Sequence, residues 1–280
     1  MITTPVALLV LLAALMHAGW NYLVKASADS LLDTVGLTVA GSLVSACFLP
    51  FLPLPAPASL PWLGATIFIH IGYFLALVET YRHADLSVAY PLMRGLAPVL
   101  VALAAPLAGE SLDPGLMAGI ALVGAGIVLP ALIGLKRGVL RSTGMWLAGG
   151  NALIIAGYTL VDGIGVRLSG SPASYTVWLF FLDAWGICAV AWWRRGDVVI
   201  AHLRRRWAPS LAGSILTVGS YGIVLWAMSV ASIPAVAALR ETSVIIAAFL
   251  GTLLLKERLG RWRIAGAILV ALSAARIRWG

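Results

Sequence analysis

The second half of this 280-residue chain repeats the first, and each copy holds about five apolar segments of membrane-spanning length. Late in each copy comes an arginine inside an apolar segment, followed by a glutamate turn. The first runs Ala89-Tyr90-Pro91-Leu92-Met93-Arg94 to Gly109-Glu110-Ser111-Leu112 and Gly119. The second runs Ala235-Val236-Ala237-Ala238-Leu239-Arg240 to Lys256-Glu257-Arg258-Leu259 and Gly266. The Arg-to-Glu spacing is 16 in one copy and 17 in the other, and the Glu-to-Gly spacing is 9 in both. An odd number of crossings per copy turns the second copy upside down, the arrangement that builds a midplane site in secondary transporters. The expected fold class is all-α integral membrane: ten transmembrane helices as two inverted five-helix repeats. Residues 1–138 and 139–280 form the repeats of one membrane domain.

The expected segments are 5–25, 32–52, 61–81, 86–107, 114–134, 143–164, 173–193, 209–229, 234–255 and 262–279. Each is long enough for a hydrocarbon core about 30 Å thick. At 61% hydrophobic and 11% charged residues, the composition is far from that of a soluble domain, which carries about 25% charge. Bare backbone is not tolerated in lipid, so the crossings are expected to be helices. Cys47 and Cys188 lie in apolar segments without CxxC spacing, giving neither a metal site nor a disulfide framework.

The net charge of +8 has a topological explanation. Fourteen Lys and Arg fall in the loops after odd-numbered segments, three (Arg167, Arg276, Arg278) on the face with the termini, and two, Arg94 and Arg240, inside segments. This asymmetry follows the positive-inside rule and places both termini on the non-cytoplasmic side. Trp192, Trp193 and Trp207 flank the most basic loop, as interfacial aromatics do. The basic run is read as an anchor against the bilayer, not a nucleic-acid surface.

Ionisable groups within spans are costly and mark candidate sites. His17, Trp20 and Asn21 stand at i, i+3 and i+4 in the first segment, one face of a helix. Asn151, Tyr158 and Asp162 form the matching stripe in the sixth. Two readings stand for both stripes: interhelical hydrogen bonding, or the lining of a polar cavity. Glu79 has Arg82 and His83 at i+3 and i+4, a local ion-pair spacing, yet a carboxylate one turn inside the membrane could also titrate. His70 reads as a satisfied interior histidine, and Asp183 has no partner that the sequence reveals. Tyr90 and Arg94 share a segment with Pro91, Pro98 and Pro106, each removing a backbone donor. Arg94 can offer its planar fork to a carboxylate. Arg240 and Glu241 are adjacent, about 100° apart on a continuous helix, and so are not expected to face one cavity together. Arg94, Arg240 and Glu241 either contact substrate or form a charge network that holds the halves together. Trp20, Tyr73, Tyr90, Tyr158, Tyr221 and Trp226 are candidates for an aromatic cage around an amine.

These residues resemble the EamA family of the drug/metabolite transporters. The likeness rests on His17-Ala18-Gly19-Trp20-Asn21 through Lys25, on Pro91-Leu92-Met93-Arg94-Gly95 with Pro98, on Leu239-Arg240-Glu241-Thr242-Ser243, and on the two glutamate turns. The resemblance implies two inverted five-helix units around a central cavity, in a family whose members move amino acids, other small metabolites, quaternary amines or nucleotide sugars. Carried over by position, the cavity would be lined by Trp20, Asn21, Tyr73, Tyr90, Arg94, Tyr158, Tyr221, Trp226, Arg240 and Glu241. Several relatives place both termini in the cytoplasm, whereas the charge asymmetry here places them outside.

The expected function is secondary transport, by alternating access, of a small polar metabolite: an amino acid or related zwitterion, in the export direction. Glu79, Asp162 and His17 are candidate proton carriers. The alternative is an organic cation, quaternary amine or multidrug carrier. An intramembrane enzyme would need a motif such as HExxH or GxSxG, and neither occurs in the sequence. No cofactor or metal is expected. The expected partners are a small-molecule substrate and the bilayer, with the chain a monomer or homodimer in the inner (plasma) membrane.

Overall fold

Apolar runs near twenty residues can satisfy their backbone in lipid only by coiling, and every regular element among the described residues is a helix. A computed structural model describes residues 2–25, 29–83, 86–136, 142–246, 249 and 261–279. The helices are α1 (Thr4–Lys25), α2 (Ser30–Phe48), α3 (Leu60–His83), α4 (Leu86–Ala104), α5 (Pro114–Lys136) and α6 (Ser142–Leu168). They continue as α7 (Pro172–Arg195), α8 (Val198–Arg205), α9 (Trp207–Val230), α10 (Ile233–Arg240) and α11 (Arg261–Trp279). Their ends follow local chemistry. The Asp29 carboxylate accepts from Leu32 N at 3.1 Å to cap α2, and Asp113 accepts from Leu116 N at 2.8 Å ahead of Pro114. Ser171 caps α7 just before Pro172. After α4 a 3₁₀ turn, Ala105–Ala108, ends at Gly109 with φ 72°, a left-handed conformation that glycine adopts freely. That turn delivers Glu110 to its partners.

Six of the described helices, α1, α2, α3, α6, α7 and α9, are long and apolar enough to cross a membrane. Shorter apolar runs lie at Leu92–Ala108 and Pro114–Val128. The expected junction between residues 138 and 139 lies outside the described residues, as do Arg137, Arg141 and the turn Lys256-Glu257-Arg258-Leu259.

Two elements differ from expectation. The ninth segment, expected to run unbroken over 234–255, stops at Arg240. Glu241 N then bonds to Ala238 O at 3.1 Å and Thr242 N to Leu239 O at 3.2 Å, so the coil tightens to an i→i−3 pattern. Arg240 and Glu241 nevertheless approach each other, Nε to Oε1 at 3.8 Å, through the reach of their long side chains. The second difference is α8, eight residues inside the basic loop. Val199 and Leu203, one turn apart, pack on Leu32, Val35, Ile187 and Ala191, while Arg204 and Arg205 stay exposed. Below it, Asp33 binds His202 Nε2 at 2.5 Å and Arg206 Nη2 at 3.0 Å.

The helices pack in matched pairs: α3 along α6, α1 along α9, α2 along α7, and α5 along α11, with α4 between α5 and α6. The α5–α11 pair depends on Gly126, where a Cβ would come within 2.8 Å of the Gly266 carbonyl oxygen. Backbone cannot move aside as a side chain can. Gly126→Ala is therefore expected to lower stability by about 1–3 kcal/mol. Gly150→Ala, where a Cβ would meet nothing within 4 Å, is the control. Equal thermal unfolding of the two variants in detergent would refute the close α5–α11 approach.

Candidate functional site

The two arginines predicted to matter converge, although 146 positions separate them. Arg94 on α4 and Arg240 at the end of α10 are each 3% exposed, and Glu241 is 1% exposed. Arg94 donates to Glu241 through both arms of its fork, Nε to Oε2 at 3.1 Å and Nη2 to Oε1 at 2.7 Å. This bidentate geometry consumes the carboxylate. Arg240 Nε lies 3.8 Å from Glu241 Oε1, close enough for charge attraction but without a hydrogen bond. Its guanidinium lies 5.9 Å from the centre of the Tyr221 ring. His17 on α1 is within electrostatic reach of both arginines.

Tyr221 joins this charge centre to a second one. Its hydroxyl donates to Asp162 Oδ2 at 2.5 Å, and Tyr175 donates to Asp162 Oδ1 at 3.1 Å. Asp162, on α6, is fully buried. Thr66 sits beside the same carboxylate without reaching hydrogen-bond geometry. Around it the rings meet edge to face: Tyr158 with Tyr221 at 6.5 Å and with Tyr73 at 5.8 Å. One tyrosine thus meets the cation at its ring and the anion at its hydroxyl.

Behind Tyr158 lies a third polar pair that the sequence did not reveal. His70 Nδ1 is 3.1 Å from Asp183 Oδ1, and the imidazole meets the Tyr158 ring edge-on at 4.7 Å. Asp183, unpaired in sequence terms, finds its partner 113 positions away.

Other candidates stand apart. Trp226, expected in the cavity, is 36% exposed. Five residues beyond Tyr221 amount to about 140° of helix rotation, which turns it to the outer side of α9. Glu79 is half-exposed near the end of α3 and pairs locally with His83 at 3.4 Å, away from the buried centre. Trp20 Nε1 donates to His17 Nδ1 at 3.2 Å and Asn21 Nδ2 to His17 O at 2.7 Å, so these polar atoms close within α1. Asn151, fully buried, donates to the Met93 sulfur at 3.0 Å. The side chains of Tyr90, Lys25 and Arg82 lie outside the described residues. A groove of about 580 Å³ between α4 and α6, lined by residues such as Leu100, Leu103, Leu107 and Leu153, is apolar and contains none of these charges.

A further buried junction occupies one end of the bundle. Glu110 accepts from Arg167 Nη2 at 2.7 Å, Ser232 Oγ at 2.7 Å and Ile233 N at 2.9 Å. Arg167 also donates to the carbonyls of Met228 and Ala231, so it clamps the α9–α10 turn. A signal for it existed: Arg167 is the lone basic residue in the loops of its face apart from the C-terminal pair. Glu110→Ala strands Ile233 N and part of Arg167. The expected cost is about 1–3 kcal/mol, nearer the lower figure because Arg167 is partly exposed. An unchanged unfolding temperature would dismiss the junction as decorative.

Long apolar helices surrounding a buried polar centre define a multi-pass membrane protein. Residues 142–279 match the model of the EamA-like transporter family. Such a domain indicates a membrane transporter of the drug/metabolite superfamily. A solved structure titled only as a crystal structure of a protein is similar in fold, with a TM-score of 0.67 at 21% identity, covering 98% of this chain and 95% of its own. No curated protein matches the chain.

Proposed function

We propose that this protein exports a small zwitterion, an amino acid or a close relative, by alternating access between two inverted five-helix units. The observation that carries this reading is Arg240: a buried guanidinium with no hydrogen bond among the described residues, beside an Arg94–Glu241 pair that is already satisfied. A buried polar group without a partner is expensive unless a ligand supplies one. A substrate carboxylate would do so. The ammonium end would lie toward Asp162 and the rings of Tyr73, Tyr158 and Tyr221.

The packing supports the repeat reading. Exchanging the first five-helix unit for the second turns the α3–α6 pair into α9–α1, and leaves α2–α7 and α5–α11 as pairs. With α8 read as an insertion and α10 as part of the ninth crossing, the helices are consistent with ten crossings. The face that carries Asp33, His202 and Arg206 also carries the basic loops, which supports a cytoplasmic assignment for it and outside termini. The inner (plasma) membrane is the location that fits. Tyrosines around Asp162 favour a second reading, an organic cation carrier. Counterflow in proteoliposomes with a panel of amino acids and quaternary amines separates the two. Saturable exchange of zwitterions is expected; exchange of the amines alone would replace the first reading by the second.

A further inference from the structure

The buried groups of α3, α6 and α7 are out of balance in charge. Two carboxylates, Asp162 and Asp183, lie near a single imidazole, His70. Facing His70 are Asp183 from α7 and Tyr158 and Asp162 from α6; bonded to Asp162 are Tyr175 from α7 and Tyr221 from α9. Beyond them Arg240 lies over the Tyr221 ring, 5.9 Å from its centre. With His70 neutral, the two carboxylates have no cationic partner among themselves and the tyrosines around them. Imidazole is the side chain whose charge ordinarily changes between pH 5 and 8. Asp183 holds its Nδ1, which fixes the ring and leaves Nε2 as the atom that gains and loses the proton.

We infer that the His70–Asp183 pair is a proton-binding site that makes this carrier a proton–substrate antiporter, with Asp162 as the charge over which proton and substrate compete. The inference rests on the zwitterion-transport reading above and adds its energy source. A proton taken up at His70 Nε2 from one aqueous side offsets the charge at Asp162, and the substrate ammonium is released. Loss of that proton to the other side leaves Asp162 uncompensated, and an ammonium group enters among the tyrosines. One proton crosses in one direction for each substrate that crosses in the other. His70 lies behind Tyr158 and acts through charge.

The test uses the full-length protein in proteoliposomes, with membrane voltage clamped and a zwitterion that gave counterflow as the probe. With the lumen one pH unit more acidic than the medium, the wild type should accumulate that zwitterion up to about tenfold, since one unit corresponds to a factor of ten for one proton per substrate. His70→Gln should keep counterflow within about twofold of wild type and lose accumulation altogether. In weakly buffered detergent solution, adding substrate to wild-type protein should release about one proton per molecule, and His70→Gln should release none. Accumulation preserved in His70→Gln, accumulation driven by the opposite gradient, or wild-type binding without proton release would each overturn the proposal. If His70→Gln fails to fold, proton release by the wild type decides. Counterflow absent for every zwitterion would instead defeat the transport reading on which this rests, an outcome distinct from counterflow without coupling.

Discussion

Arg94→Ala is expected to destabilise the folded protein by about 3–5 kcal/mol, the cost of leaving one member of a buried ion pair without the other. Glu241 is 1% exposed, and Arg94 supplies both of its hydrogen bonds. Removing the guanidinium strands a buried carboxylate with Arg240, at 3.8 Å, to compensate. Thermal unfolding in lipid nanodiscs reads this directly. The double replacement Arg94→Met with Glu241→Leu should recover most of the loss, because an apolar pair of similar volume removes both desolvation penalties. A double variant no more stable than Arg94→Ala would show that the pair is not the source of the effect. For the same reason Arg94 is a poor probe of substrate contact: its loss damages the scaffold and the site together.

Arg240→Ala is the cleaner probe and carries the largest expected effect on transport. Its guanidinium makes no hydrogen bond within the described protein, so its removal orphans no acceptor. A charge-assisted hydrogen bond contributes about 1.5–3 kcal/mol, so half-saturation for a zwitterion should rise about 10- to 150-fold. Stability should change far less than in Arg94→Ala. Counterflow assays of the purified variant, with unfolding measured on the same sample, make both comparisons. Unaltered zwitterion exchange would remove Arg240 from substrate recognition and shift weight to the organic cation reading.

The long apolar helices were legible because hydrophobic length is a local property. The expected 143–164 became Ser142–Leu168, and 209–229 became Trp207–Val230. The break after Arg240 was not legible. Glu241, the residue at the break, pairs with Arg94 147 positions away, and the proline of that segment, Pro234, sits at the helix start where it does no harm. The eight-residue α8 escaped for another reason: its apolar face is two residues wide, too small for a twenty-residue window. Among site residues, Arg94, Arg240, Glu241 and Asp162 stood out as charges within apolar runs, and the structure gathers them into one connected centre. The partners did not stand out. Tyr175 and Asp183 gain meaning only once α7 is laid against α3 and α6, a contact encoded in packing and invisible in spacing. Trp226 shows the converse, an aromatic of suitable type turned outward by helical rotation.

Every residue of α10 is buried, from Ile233, whose amide is held by Glu110, to Arg240 beside Tyr221. Eight residues at 1.5 Å each make a strut of about 12 Å. One tip is gripped at the bundle's edge by a carboxylate from the opposite half of the chain; the other carries the uncommitted guanidinium. Such a strut has no slack, so whatever loosens the grip on Ile233 must also displace Arg240. On the transport reading proposed above, opening one mouth of the protein and letting go of cargo would be a single mechanical event.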